Sequence, residues 1–305
     1  MGRYVLKRTL LGILAIIGVS VIIFIATRLS GDVTFLMLPD NATKEDIVAI
    51  RAALGLDKPI PIQYLIFIQH AVVGDFGSSI IYKLPAMNLV FARLPATIEL
   101  AFAAFSITIC IGIPIGVLSA ARRGKWVDKM GTLFALVGQS MPAFWVGIML
   151  ILVFSVWLRW LPTSGRGGIN YIIMPALTLG WYSVAAVMRL TRSGMVDALD
   201  NEYIRLARLK GNPERIVIWK HALRNALIPV ITMSGIQLAT LLGGAVIIET
   251  VFSWPGLGKL IMDAISKRDY PVVQAGVFVT SSVFVFCNLV VDLLYGVIDP
   301  RIRYR

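Results

Sequence analysis

The chain has 305 residues, 57% of them hydrophobic and only 15% charged, with a mean hydropathy of +0.80. A soluble domain carries about a quarter charged residues, so this composition excludes an ordinary water-soluble globule and makes lipid the solvent for most of the chain. The net charge of +12 does not signal nucleic acid, because the basic residues sit in short loops between apolar blocks, where topogenic charge is found.

Taken in chain order, Arg3, Lys7 and Arg8 precede a first apolar block, Leu10 to Ala26. Arg28 and Leu29 interrupt any small-x-small cleavage site, so this block is expected to stay as an uncleaved first helix. Five further blocks follow: Thr97 to Ala121, Leu133 to Leu158, Ile172 to Met188, Leu227 to Ile248 and Val272 to Ile298. Each is long enough to cross roughly 30 Å of hydrocarbon at about 1.5 Å per residue, which predicts six transmembrane helices. With the N-terminus cytoplasmic, the inner segments hold 18 Lys and Arg and the short outer loops hold 5. That bias places both termini inside.

Between the first two blocks, Thr43 reads as the N-cap of an outer helix with a stripe at Ile47, Ile50 and Leu54, stopped by Gly55. A second amphipathic run follows from Gln63 to Val73. Glu99 is expected in the first turn of its helix, where an anion favours the dipole. In the third block, Pro142 after Gln139, Ser140 and Met141 predicts a kink that either exposes carbonyls to a cavity or is mere packing. Trp157, Trp160 and Trp181 are expected as interfacial anchors rather than ligand stackers. Asp292, inside the last block, needs either a basic partner or a water-filled path. His70 and His221 fall on opposite sides and cannot share a metal, and Cys110 and Cys287 behave as small hydrophobes, so no metal site is expected.

The segment 189–226 carries eight basic and four acidic residues. Asp200-Asn201-Glu202-Tyr203 opens a helix that closes at Gly211, and Asn212 with Pro213 is expected to cap a second helix leading into the fifth span. Small residues at such a turn, Ala207 and Gly211, allow another surface to approach the backbone. The segment therefore reads as a docking element.

The run Glu202-Tyr203-Ile204-Arg205-Leu206-Ala207-Arg208-Leu209-Lys210-Gly211, followed by His221-Ala222-Leu223-Arg224-Asn225-Ala226-Leu227-Ile228-Pro229, resembles the coupling loop of ABC importer permeases, nearest the dipeptide, oligopeptide and nickel branch. Ala207, Gly211 and Leu223 fall in register with the broader superfamily motif, whereas Arg205, His221 and Arg224 depart from it. Four more stretches resemble that branch: Leu54 to Pro59 with Gly74 to Ser79, Arg93 to Leu100, Glu249 to Gly258 with Arg268 to Gln274, and Asp299 to Arg303.

The resemblance implies an all-α membrane protein with the type I ABC importer permease fold, an outer helical loop and a cytoplasmic coupling helix. It divides the chain into residues 1–96, the first span plus outer loop, and 97–305, a five-helix core containing the coupling loop. It implies an inner-membrane permease of a prokaryote that forms half of a translocation pathway. The implied partners are a second permease, two ATPase subunits and an extracytoplasmic binding protein. ATP and Mg belong to the ATPase subunits, since this chain has no GxxxxGK[ST] loop and no catalytic residues of its own. Glu202, Tyr203, Arg205, Ala207, Arg208 and Gly211 are the expected ATPase-docking residues, and Gln139, Ser140, Pro142 and Asp292 the expected pathway residues. Members of the branch carry peptides, glutathione, opines or nickel, and peptide-type cargo is the expectation. A proton- or sodium-coupled carrier is the second reading, for which Asp292 is the one supporting residue.

Overall fold

The computed structural model describes residues 2–30, 43, 45, 48, 51–52 and 55–298. The outer-helix reading at Thr43 to Leu54 and the ending at Asp299 to Arg303 lie largely or wholly outside the described residues. Each apolar block is helical, because a backbone in hydrocarbon must satisfy its own polar groups. The helices are α1 (Gly2–Leu29), α2 (Ile60–Val72), α3 (Ala86–Ala121), α4 (Trp126–Ser140), α5 (Ala143–Leu150) and α6 (Ile169–Leu199). They continue with α7 (Glu202–Leu209), α8 (Leu223–Val251), α9 (Leu257–Ser266) and α10 (Tyr270–Ile298). Among the described residues, four helices are each long and apolar enough to cross a membrane, and the number of spans rises to as many as six when each of two bent pairs is taken as one span. One pair is α4 with α5 and its π-helical extension Ile151–Trp157, bent by 106°; the other bends by 42° between Ile231 and Met233.

The chain divides into two compact units, Met1–Thr97 with Pro255–Leu289 and Ile98–Trp254 with Val290–Arg305. In the first unit, the rings of Phe24, Tyr64, Phe67, Phe76 and Phe278 form a continuous ladder with neighbouring centroids 5.4–6.3 Å apart. Ser20 and Tyr64 join α1 to α2 through a 2.9 Å hydrogen bond between their hydroxyls. Beyond the ladder, Ala86 and Val90 of α3 pack with Leu257, Leu260 and Ile261 of α9 and Val272 of α10. The turn before α10 is held by buried Asp269, which accepts hydrogen bonds from Ser79 Oγ at 2.5 Å and the Ile80 amide at 3.1 Å.

In the second unit α6 is the central helix, with its most extensive contacts to α8 and then α4. Glycines set these approaches. A Cβ at Gly116 of α3 would stand 2.6 Å from the Met188 carbonyl oxygen, and one at Gly138 of α4 would stand 2.7 Å from Ala185 Cβ. Helices in lipid gain from such close backbone contact because burial of apolar surface offers no advantage there.

Two expectations change here. Glu99 is not in a first turn, since α3 begins at Ala86; it instead pairs with Arg166, whose Nε donates at 2.9 Å. Arg166 in turn lies over the Trp254 ring at 5.9 Å, so a mid-helix carboxylate is neutralised across the chain rather than by the dipole. Trp157 and Trp160 are exposed, as anchors would be, but Trp181 turns inward against Phe134 at 5.5 Å.

Candidate docking surface and membrane break

The segment after α6 builds a helix with two different faces. Asn201 is the N-cap residue in extended conformation, its Nδ2 donating back to the Asp197 carbonyl at 2.7 Å, and Glu202 supplies the acidic group that favours the first turn. Ile204 and Ala207, one turn apart, enter a buried cluster with Val117 and Ala120 of α3, Met195 and Ala198 of α6, and Val217, Ala222 and Ala226. Beside and opposite that contact the helix leaves apolar groups in the open: Tyr203, at its edge, is 37% exposed, Leu206 58% and Leu209 76%. Arg205 is exposed beside them. An apolar stripe on a helix that is already anchored by its other face is the geometry of a surface awaiting a partner.

Gly211 closes the helix with φ +76°, a conformation costly for any residue with a Cβ. Arg208 staples the turn by donating from Nε and Nη2 to Glu214 at 3.1 and 2.8 Å. That hydrogen-bonded carboxylate holds the Arg208 guanidinium above its ordinary pKa. Asn212 does not cap the next helix as expected. Its Nδ2 donates back to the Ala207 carbonyl at 2.9 Å, and Pro213 occupies the cap position of the helical turn Glu214–Ile216. A π-helical stretch, Val217–Ala222, then runs into α8. The connection through Leu223 and Pro229 is consequently not a straight rod, since the 42° bend follows Pro229 closely.

Of the expected docking residues, the structure thus exposes Glu202, Tyr203, Arg205, Arg208 and Gly211 together and places Ala207 in the core. The helical period of Tyr203, Leu206 and Leu209 is the signal that marks the two leucines missing from that set.

The expected pathway residues Gln139, Ser140 and Pro142 meet at the break between α4 and α5. Met141 is extended and Pro142 is the N-cap residue of α5, so the chain turns by 106° instead of merely kinking. Ser140 Oγ donates to the Leu136 carbonyl at 2.8 Å. Gln139 Nε2 and Trp181 Nε1 are buried donors with no hydrogen-bond acceptor among the described residues. Nearby in the same unit, Ser183 Oγ donates to Gln237 Oε1 at 3.1 Å, a polar pair between α6 and α8 that sequence reading did not single out. Asp292 lies half-buried on α10, next to Val291, which packs against Gly235 of α8.

Comparison with known proteins covers the whole chain. The family described as "Binding-protein-dependent transport system inner membrane component" matches residues 112–304, and its N-terminal companion matches residues 1–111. The glutathione transport system permease protein GsiC of Salmonella paratyphi A is 42% identical over 306 residues, covering 100% of both chains, and GsiC of Escherichia coli strain K12 is 42% identical over the same span. Among solved structures, a chain of the MetNI methionine ABC transporter superposes with a TM-score of 0.56 at 16% identity, covering 70% of this chain and 97% of that one. These relatives support the permease reading and lend nothing to an ion-coupled carrier. With matching family descriptions from end to end and the helical permease fold in place, the chain belongs to the binding-protein-dependent transport system inner membrane components, the multi-pass permease subunits of ABC transporters.

Proposed function

We propose that this permease forms half of the translocation pathway of an ATP-driven importer for small peptides, with glutathione, the compound named for its relatives, as the first solute to test. A second homologous permease supplies the other half. Two ATPase subunits bind ATP and Mg, and an extracytoplasmic binding protein delivers the solute and sets most of the selectivity. The observation that carries this reading is α7, anchored through Ile204 and Ala207 while Tyr203, Leu206 and Leu209 stay exposed. ATP-driven closure of the ATPase pair displaces α7, and the membrane helices switch between two arrangements that open the pathway to opposite sides. Gln139, Ser140, Pro142 and Asp292 line that pathway. The 18-to-5 bias in basic residues supports cytoplasmic termini, and a C-terminal reporter active only outside would overturn it.

The experiment is Gly211→Arg in the complex purified with its partners. Beyond its chain neighbours no atom lies within 4 Å of where a Cβ would project, so the arginine points outward and meets only the backbone strain of the positive φ, about 1–3 kcal/mol, and the protein should still reach the membrane. Loss of co-purifying ATPase subunits and of uptake is expected. Normal uptake of labelled glutathione or dipeptides in this variant would remove α7 from the docking role.

A further inference from the structure

The turn between α3 and α4 is tied to the α6–α7 segment from two directions. Asp128, in the first turn of α4 and 6% exposed, accepts four hydrogen bonds from three stretches of chain. Arg192 of α6 donates from Nε at 2.5 Å and from Nη2 at 2.8 Å. Ser119 Oγ, at the end of α3, donates at 2.8 Å, and the Gly124 amide of the turn itself at 2.9 Å. Arg123 adds an exposed pair with Asp200 at 3.1 Å, directly ahead of α7. Beneath both pairs, Val117 and Ala120 of α3 share one apolar cluster with Ile204 and Ala207 of α7.

A bidentate arginine–carboxylate pair fixes distance and orientation at once, which a point contact does not. Such a pair, with Asp128 buried and the Arg192 side chain 31% exposed, often stabilises no more than well-packed apolar side chains would, which leaves fixed orientation as what it adds. One turn further along α4, Gly131 lets the helices approach closely: a Cβ there would stand 2.8 Å from Met188 Cε and 2.9 Å from Ser119 Oγ. The base of α4 is therefore tied to α6 and to the start of α7, and the other end of α4 is the 106° break at Met141.

We propose that Asp128 is a positioning residue of the transport cycle: by locking the base of α4 to α6 and α7 through Arg192, it passes displacement of α7 to the break between α4 and α5. The inference rests on the docking reading of α7. It is tested in the full complex, with Cys110 and Cys287 replaced by serine and spin labels placed at the exposed positions Leu136 and Ile148 on either side of the break. The distance between the labels is measured with and without ATP and vanadate.

In the parent a shift in this distance is expected on trapping, and in Asp128→Asn the shift is lost while ATPase subunits still co-purify. Arg192→Lys, which keeps the charge but not the fork, should lose the shift as well, and it serves if Asp128→Asn does not reach the membrane. Asp128→Glu should restore part of it. A full shift in Asp128→Asn or Arg192→Lys, even in a variant that melts earlier, reduces Asp128 to a structural anchor and overturns the proposal, as does a parent with no shift at all. Failure of the parent complex to retain ATPase subunits would instead strike the docking reading.

Discussion

α7 and α9 are both short amphipathic helices joining longer ones, and they differ in how much of their apolar surface the chain covers. α9 turns Leu257, Gly258, Leu260, Ile261 and Ala264 inward, and its neighbours in α3 and α10 cover them. α7 turns in only Ile204 and Ala207 and leaves Tyr203, Leu206 and Leu209 uncovered. Amphipathicity says that a helix has an apolar side, not where that side finds its cover. In α9 the chain covers all but Met262 and Ile265; in α7 the cover for Leu206 and Leu209 is, by the proposed docking, another molecule.

The largest expected effects break this contrast at the buried contacts. Ile204→Ala and Ile261→Ala each empty a buried site, at a cost of about 2–5 kcal/mol to the detergent-solubilised protein. Thermal melting should register both. The comparison predicts that only Ile204→Ala also loosens ATPase association, and equal loss of partner binding in both variants would erase the distinction.

Next in size is Asp269, which anchors the segment around Ser79 at the end of α9. Asp269→Ala leaves the Ser79 hydroxyl and the Ile80 amide buried without their acceptor, a loss of about 1–3 kcal/mol. Co-purification of ATPase subunits should be unaffected. A smaller effect on stability, with a clear effect on coupling, is expected for the double change Leu206→Ala and Leu209→Ala. Both side chains are solvent-exposed, so melting should stay within about 0.5 kcal/mol of the parent. ATPase association should weaken about tenfold or more, as truncation of apolar anchors at an interface does. Unchanged association would leave α7 as an exposed helix with no partner.

The spans and the α7 turn were legible in the sequence because both rest on local signals. Hydropathy over each block predicts its helix, and Asn201, Glu202 and Gly211 mark one short helix by its ends. The rest depends on partners far apart in the chain. Asp128 and Arg192 are 64 positions apart, Glu99 and Arg166 67, and Ser79 and Asp269 190. No local pattern pairs them. The break at Met141 lies between these cases. Pro142 announces an interruption, but the size of the turn depends on how α5 packs against α6, with Gly147 seated on Thr178. The inward turn of Trp181 and the back-bond of Asn212 to Ala207 are likewise products of packing.

The smallest effect compares how α2 and α7 end. Each stops at a glycine with positive φ, Gly74 at +80° and Gly211 at +76°, and each turn carries a side-chain pair, His70 hydrogen-bonded to Asp75 and Arg208 salt-bridged to Glu214. Asp75 accepts the Gly77 amide at 2.9 Å, and this bond, followed by the one to His70, holds its carboxyl below the ordinary value of 3.8. A depressed carboxyl contributes stability that is full above its unfolded value and is lost as pH falls through the folded one. Asp75→Asn should therefore be slightly less stable than the parent near neutral pH, and the difference should start to shrink as pH falls to about 3.8 and vanish below the lower folded value. Because the pair is exposed and screened, the difference should not exceed about 0.5 kcal/mol, and added salt should shrink it. Glu214→Gln should cost equally little in melting. It should nonetheless weaken ATPase association, because the turn it releases is the one that presents Leu209; a variant with full association would show that the staple has no part in holding that face.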